Sequence, residues 1–200
     1  MVDDATLIRR VLAGDRHAFQ WLIRANERLV YSVVWKIVQN KQDTEDICQD
    51  VFLKVYQKLP TFKFESQLST WIARIAYNEA LGKLRKRDIL AQAADADEEH
   101  FQERFVELAA TPAEELEARE TKEVLQRAIE QLPVHYRTLL TMYHLEELSY
   151  DEMTEVSGLP LGTVKNYLYR ARHLLKELLQ KNHALTERYG KRTEANQARS

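Results

Sequence analysis

The sequence predicts an all-α protein in which two small helical domains are joined by a flexible acidic linker. The chain has 200 residues with only five glycines and four prolines, and its abundant Leu, Ala, Glu, Lys and Arg favour helices. Apolar residues recur at spacings of three, four and seven, as on the buried face of a helix. The domains are predicted at residues 1–87 and 111–182, with the linker at 88–110 and a polar tail at 183–200.

Composition limits the functional class. Hydrophobic residues make up 44% of the chain and charged residues 30%, the balance of a soluble globular protein. The single cysteine, Cys48, cannot form an internal disulfide. The start of the chain lacks a signal-peptide pattern, and no stretch has the roughly 20 apolar residues that cross a bilayer. We therefore expect a cytoplasmic protein with no membrane insertion of its own.

The first domain is predicted to be a bundle of four helices. A short helix around Leu7–Leu12 precedes a long one capped by Asp15. A third helix opens at Asp43 and stops at Pro60, and a fourth covers about Leu68–Arg87. Their expected core residues are Phe19, Leu22, Ile23, Leu29, Val30, Val33, Val34, Ile37, Ile47, Val51, Phe52, Val55, Tyr56, Leu59, Trp71, Ile72, Ile75, Ala76 and Leu84.

The second domain begins at the letters TPAE, where Thr111 can cap a helix, Pro112 suits its first position and Glu114 can close a capping box. Further helices are predicted at Pro133–Leu145 and Ser149–Ser157. The last helix follows Gly158, and beyond about Asn182 the periodicity is lost, which predicts a frayed tail.

Charge is segregated along the chain, although the net charge is only -2. Phe62–Arg87 carries six basic and two acidic residues, and Leu159–Lys181 carries five and one, so each is +4. Asp88–Glu123 has 12 acidic and three basic residues, giving -9. Two basic patches therefore flank an acidic middle, a distribution that the total conceals.

The stretch SYDEMTEVSGLPLGTVKNYLYRAR has the layout of a helix-turn-helix, with Gly158 in the turn. Its second helix separates an apolar arc from a polar, basic one. Residues early in such a helix reach base edges, and later basic residues meet phosphates. The candidates are Lys165, Asn166, Tyr169 and Arg170 for the groove, and Arg172 and Lys176 for phosphate. The alternative interpretation of this helix is a solvated basic surface helix. In either case, Tyr167 and Leu174 are expected in the core.

The stretch PTFKFESQLSTWIARIAYNEALGKLRKR places Phe62 and Phe64 in a polar loop before a helix with a basic end. Aromatic rings beside basic residues suit single-stranded nucleic acid, because rings stack on bases while cations hold phosphates. In the alternative interpretation, Trp71 belongs to the core and Asn78 is a solvated polar residue.

The order of these stretches, with DTEDICQDVFLKVYQKLPTF before them and AIEQLPVHYRTLLTMYHLEEL between them, resembles the extracytoplasmic-function (ECF, group 4) sigma factors of the sigma-70 family. The resemblance covers about Asp3–Leu179. It implies that the first domain binds core RNA polymerase and melts the -10 promoter element, while the second reads the -35 element. The linker then runs through the polymerase channels toward the RNA exit path.

The resemblance also assigns roles to residues. It implies that Asp46, Gln49 and Asp50 face the basic clamp coiled coil of the polymerase, with Phe52 and Leu53 in support. It places -10 contacts at Phe62, Lys63, Phe64, Glu65, Ser66, Arg74, Asn78, Lys83, Arg85 and Lys86, and the pattern of aromatic beside basic residues adds Trp71. It places -35 contacts at Thr163, Lys165, Asn166 and Arg170, and position on the polar arc of the helix adds Tyr169, Arg172 and Lys176. Phe64 departs from the small residue often found there, and Tyr167 replaces a frequent arginine.

The implied partners are bacterial core RNA polymerase, through its beta and beta-prime subunits, promoter DNA and an anti-sigma factor. No catalytic residue, metal site or cofactor is expected, because the six histidines are scattered and no HxxxH or CxxC spacing occurs. An enzyme is the weaker alternative. A free-standing helix-turn-helix regulator is the stronger one, and only the first domain discriminates against it.

Overall fold

A computed structural model describes the backbone of residues 3–94 and 115–197 and the side chains of residues 3–86 and 123–181. Within these ranges the chain forms eight α-helices and one short 3₁₀ turn, and no strand. The elements are α1 (Asp4–Leu12), α2 (Arg16–Val38), α3 (Lys41–Lys58), the turn Leu59–Thr61, α4 (Leu68–Ala94), α5 (Glu115–Glu130), α6 (Val134–His144), α7 (Tyr150–Ser157) and α8 (Leu161–Gln197). The all-α prediction is confirmed. Most of the predicted linker, with the Thr111, Pro112 and Glu114 cap, lies outside the described residues.

Each of the first three helices has an N-cap side chain that accepts a hydrogen bond from a backbone amide of the first turn. The Asp3 carboxylate accepts a hydrogen bond from the Ala5 amide at 3.0 Å, and Asp15 caps α2 as predicted, accepting from the Ala18 amide at 3.1 Å. Asn40, and not Asp43, caps α3. The third helix therefore begins two residues earlier than predicted, because an Asn side chain is as good an N-cap as Asp.

The helices α1 to α4 form the N-terminal group, with α2 packed against the other three. Most of the predicted core residues are buried or half-buried. Tyr56 is the exception, because its side chain is 51% exposed and only the edge of its ring meets Phe19, at 5.1 Å between centroids. The prediction of a buried Tyr56 is wrong, since its neighbour Val55 occupies the inward position and the phenol keeps its hydroxyl in water.

The helices α5 to α8 form the C-terminal group. The predicted capping box of α7 is present: the Ser149 hydroxyl accepts from the Glu152 amide, and the Glu152 carboxylate accepts from the Ser149 amide at 2.8 Å. Gly158 ends α7 with φ at 70°, a left-handed conformation that glycine adopts without steric cost. The residues that pack α7 against α8 are Met153, Val156, Val164 and Leu168, all buried, and Leu159, half-buried.

Two helices are longer than predicted. The α4 helix continues past Arg87 to Ala94, into the predicted linker, and α8 continues past Asn182 to Gln197, into the predicted tail. Neither extension contains proline, and both are rich in strong helix formers such as Ala, Leu, Glu and Arg. The predicted helices end too early because their ends were placed where the apolar stripe stops, whereas helix-forming residues continue the helix beyond it.

The two groups pack against each other. Their buried apolar side chains form one cluster, and α4 lies on α7 while α2 lies on α6. The Thr70 hydroxyl donates to the Glu152 carboxylate at 3.1 Å, and the Tyr77 hydroxyl lies 3.4 Å from Nδ1 of His135. Partial burial of Glu152 opposes its ionisation, but hydrogen bonds from Ser149 and Thr70 outweigh that effect and lower its pKa. Glu152 therefore caps α7 and binds α4 as a carboxylate.

Arg137, on α6, makes the most extensive contact between the groups. Its guanidinium donates to the carbonyls of Lys36 and of Ile37, the latter at 3.2 Å, in the last turn of α2. It also donates to the carbonyls of Glu130 and Leu132 where α5 ends, at 3.4 and 3.1 Å. The last carbonyls of a helix have no partner within the helix and carry partial negative charge. One buried cation thus satisfies the ends of two helices.

We expect Arg137→Leu to lower the free energy of unfolding by about 2–4 kcal/mol, because it leaves buried carbonyls without donors. Urea denaturation followed by circular dichroism measures this loss. Arg127→Leu is the matched control: Arg127 makes only a 3.4 Å pair with Glu123 on its own helix, worth about 0.3–0.5 kcal/mol. Equal losses in the two variants would contradict the bridging role of Arg137.

Candidate polymerase-binding and nucleic-acid-binding surfaces

The polymerase-binding candidates of α3 lie on one exposed face. Asp46, Gln49 and Asp50 are exposed, and their spacing of three and four places them side by side on the helix. Phe52 is half-buried and packs on the core beneath, as a supporting residue would. This surface, the acidic face of α3, offers carboxylates and an amide to a basic partner.

Leu53 lies in the acidic face itself and not beneath it. Its side chain is 61% exposed, and it follows Asp46 by seven positions, two turns of the helix. Tyr56, one turn further, is also exposed. Two apolar side chains therefore extend the acidic face, and Tyr56 was missed because an aromatic residue at helical spacing also suits a core position.

Three aromatic rings form a cluster at the predicted strand-binding loop. The Phe62 ring lies 4.9 Å from that of Phe64 and 5.3 Å from that of Trp71. Phe62 is only 9% exposed, whereas Phe64 is 55% exposed. Phe64 has φ at 59°, in the left-handed region that favours glycine. Phe62 thus supports the loop from below, and Phe64 is the ring that solvent, or a base, can reach.

The remaining -10 candidates do not all lie together. Trp71, Arg74, Asn78 and Arg85 recur at helical spacing on one stripe of α4, where Arg74, Asn78 and Arg85 are exposed and Trp71 is half-buried. Lys63, Glu65 and Lys86 are exposed and Ser66 is half-buried. Lys83 lies on the side toward α3, where its ammonium pairs with Asp43 at 3.7 Å. The structure therefore assembles the loop and the stripe but does not add Lys83 to them.

The polar face of α8 carries the -35 candidates. Its exposed members are Lys165, Asn166, Tyr169, Arg170, Arg172 and Lys176, and Tyr169 is 69% exposed. Thr163, in the first turn, is half-buried. Tyr167 is also half-buried and meets the Tyr136 ring at 5.3 Å. It therefore packs on α6, where an arginine at the same position would have to reach outward to contact phosphate.

Tyr143 and Tyr150, which lie beneath Arg172 and Lys165, were not predicted from the sequence. Their positions at the end of α6 and the start of α7 follow no helical period shared with α8. Only the packing of three helices brings these rings and cations together.

Other kinds of site are not found in the described part of the chain. No group of three or more His, Cys, Asp or Glu residues there could hold a metal ion. No described helix is both long and apolar enough to span a bilayer.

The sequence matches two family descriptions. Residues 22–89 match sigma-70 region 2 and residues 122–175 match sigma-70 region 4. The first match covers most of the N-terminal group and the second covers the helix-turn-helix.

Curated relatives align over nearly their whole length. The RNA polymerase sigma-H factor of Pseudomonas aeruginosa is 31% identical, over 88% of this chain and 94% of that protein. The ECF RNA polymerase sigma-E factor of Haemophilus influenzae is 32% identical, over 88% and 95%. The sigma-E factor of Escherichia coli K12 is 31% identical, over 88% and 94%.

Two solved structures share the fold. The sigma factor RpoE of Bartonella quintana, solved with the anti-sigma factor NepR, has a TM-score of 0.64 at 23% identity over 81% of this chain and 96% of that chain. CnrH, solved with the cytosolic domain of CnrY, has a TM-score of 0.60 at 21% identity over 89% and 97%. With both region 2 and region 4 in order and full-length relatives above 30% identity, the chain belongs to the extracytoplasmic-function sigma factors of the sigma-70 family.

Proposed function

We propose that this sigma factor docks on bacterial core RNA polymerase through the acidic face of α3, captures bases of the -10 strand with the aromatic loop and α4, and reads the -35 duplex with α8. The observation that carries this division is that one chain exposes an acidic helix face and two further surfaces that differ in chemistry. One of these surfaces presents an aromatic ring and the other presents a row of cations.

The aromatic loop suits bases that have left the duplex. Unpairing costs a few kcal/mol per base, and stacking on an aromatic ring returns about 1–3 kcal/mol. Phe64 offers its ring to solvent while Phe62 and Trp71 fix the loop from below. Asn78, exposed on the adjacent stripe, can both donate to and accept from a base edge.

The polar face of α8 suits intact duplex. Asn166 and Arg170 are side chains that can bind base edges in pairs of hydrogen bonds, and Arg172 and Lys176 are placed further along the helix for phosphates. The Gly158 turn sets α7 across the start of α8, the arrangement in which a recognition helix enters the major groove.

The remaining assignments follow from the same division. The partners are the beta and beta-prime subunits of core polymerase, promoter DNA and an anti-sigma factor, the kind of partner that the Bartonella quintana RpoE structure contains. The chain works in the cytoplasm by binding, without catalysing a covalent step itself.

Transcription in vitro with bacterial core polymerase and a promoter library tests the proposal. We expect the chain to join the core enzyme and initiate from promoters with two spaced elements. A protein that binds DNA but never joins the core enzyme would instead be a free-standing regulator, and a protein that initiates nowhere would contradict the proposal.

Arg170→Ala should weaken promoter binding by about 1–3 kcal/mol, roughly 5- to 150-fold, because it removes a base-edge contact. Binding to core polymerase should not change, since Arg170 and the acidic face of α3 lie in different helical groups. Electrophoretic mobility shift of the holoenzyme and pull-down of the core enzyme measure the two effects. Lys181→Ala, exposed on the same helix about three turns beyond Arg170, is the control; equal loss of both activities in Arg170→Ala would refute the assignment.

Asn78→Ala should slow formation of the open complex while leaving duplex binding unchanged, because the lost hydrogen bonds act only on a flipped base. A fluorescent base analogue in the -10 element reports the opening rate. Gln20→Ala, an exposed amide on α2, serves as control. An unchanged opening rate in Asn78→Ala would count against the capture of a base beside α4.

The proposal also requires the two helical groups to separate. Elements about 25 base pairs apart span on the order of 85 Å of duplex at about 3.4 Å per base pair, whereas a compact chain of 200 residues has a radius of gyration of about 16 Å. In the structure Gln39 of the N-terminal group donates to the Glu130 carbonyl of the C-terminal group at 3.1 Å.

A reducible thiol crosslink between Gln39→Cys and Glu130→Cys should therefore abolish initiation, and reduction should restore it. Promoter-dependent transcription measures both states. Burial raises the pKa of the native Cys48 thiol to about 11, so it reacts slowly, and the two single variants control for its modification. A crosslinked protein that initiates at the full rate would contradict the required separation.

A further inference from the structure

Two tyrosines form a stacked pair beneath the polar face of α8. The rings of Tyr143, in the last turn of α6, and Tyr150, the first residue of α7, lie 5.3 Å apart with 25° between their planes. Both side chains are half-buried. Because they come from different helices, their stacking fixes the end of α6 against the start of α7.

Each ring carries one cation of α8. Lys165 Nζ lies 5.7 Å from the Tyr150 centroid, and the Arg172 guanidinium carbon lies 5.2 Å from the Tyr143 centroid. Both distances fall within the reach of a cation–π contact, about 6 Å. The two cations are seven residues apart, which is two helical turns, so they lie on the same side of α8. Lys165 contacts Tyr150 and Arg172 contacts Tyr143.

His144 closes the far end of this arrangement. Its ring meets Tyr143 edge-on, with centroids 4.9 Å apart, and its Nε2 lies 3.5 Å from Arg172 Nη2. Burial and the neighbouring Arg172 lower the pKa of His144. A neutral imidazole can accept a hydrogen bond from the guanidinium, whereas a charged one would repel it.

We propose that Tyr143 and Tyr150 are positioning residues for -35 recognition: they hold Arg172 and Lys165 extended along α8 before DNA arrives. This inference rests on the proposed function of α8. Long basic side chains lose much rotamer freedom when they are fixed on DNA, and ordering them beforehand lowers that cost. The ring contacts leave further N–H groups of both cations open to solvent, since both residues stay exposed.

A double-mutant cycle tests this role in the holoenzyme reconstituted from the full chain. Tyr143→Leu should weaken promoter binding about threefold, the size of an exposed cation–π contact, while Tyr143→Phe, which keeps the ring, should not. In an Arg172→Ala background, Tyr143→Leu should have no further effect. The matched control is Tyr136→Leu, which removes a half-buried tyrosine of the same helix that packs on Tyr167.

The free protein supplies a second readout that needs no DNA. The heteronuclear NOE of the Arg172 side-chain Nε should fall in Tyr143→Leu and stay unchanged in Tyr143→Phe. Thermal unfolding identifies a variant that fails to fold, in which case Tyr150→Leu with Lys165→Ala provides the equivalent cycle.

Three outcomes would overturn the positioning role: unchanged promoter affinity in Tyr143→Leu, an equal loss in the presence and absence of Arg172, or an unchanged NOE. Absence of any promoter binding by the wild-type holoenzyme would contradict the proposed function of α8 and the positioning role with it. The NOE comparison in the free protein separates that failure from a failure of the cation–tyrosine contact.

Discussion

The arrangement of the two helical groups depends on the guanidinium of Arg137. Two helices, α2 and α5, end at the same place and present their last carbonyls to one cation. Burial lowers the pKa of Arg137 to about 10, which leaves it charged at neutral pH. A planar group with five donors in a fixed fork can reach all four carbonyls, whereas a lysine ammonium has only three donors. Arg137 therefore caps the C-terminal end of α5 and also orients α6 on α2.

The junction around Arg137 is polar as well as buried. Lys36, on α2, is buried, and its ammonium makes no hydrogen bond within the part of the chain that the structure describes. Burial lowers the pKa of Lys36, the nearby Glu130 raises it and Arg137 lowers it further. Such groups lose hydration when the surfaces meet and regain it when they part. A junction of this kind resists separation less than an apolar core of equal area, which suits the separation of the two groups that the proposed promoter binding requires.

Much of the fold follows from local chemistry that a sequence displays. The cap at Asp15, the capping box at Ser149 and the glycine turn at Gly158 each depend on residues within a few positions of one another, and all three were predicted correctly. The two-faced character of α8 likewise follows from helical periodicity alone, and its exposed residues are those expected. The assignment of a contact to each of them remains a prediction.

The features that the sequence did not predict depend on contacts between distant residues. Arg137 reads as one more charged residue of an amphipathic helix, yet it is buried against residues a hundred positions away. Leu53 and Tyr56 are apolar, and only the packing of α3 on its neighbours shows that they face outward. Periodicity reports which side of a helix is buried, but it cannot report which other helix covers that side.

The two surfaces that we propose to face DNA use aromatic rings in opposite ways, and the state of the DNA that each would meet explains the difference. Duplex keeps its bases stacked and presents phosphates in fixed positions, so a ring serves it by holding a cation in place, as Tyr143 and Tyr150 hold Arg172 and Lys165. A melted strand exposes base faces and has a mobile backbone, so the ring that binds it must be exposed to solvent, where a base can stack on it. The left-handed backbone of Phe64 costs on the order of 1 kcal/mol. This conformation accompanies a large aromatic ring that is exposed to solvent. Stacking with a base, worth about 1–3 kcal/mol, would offset that cost.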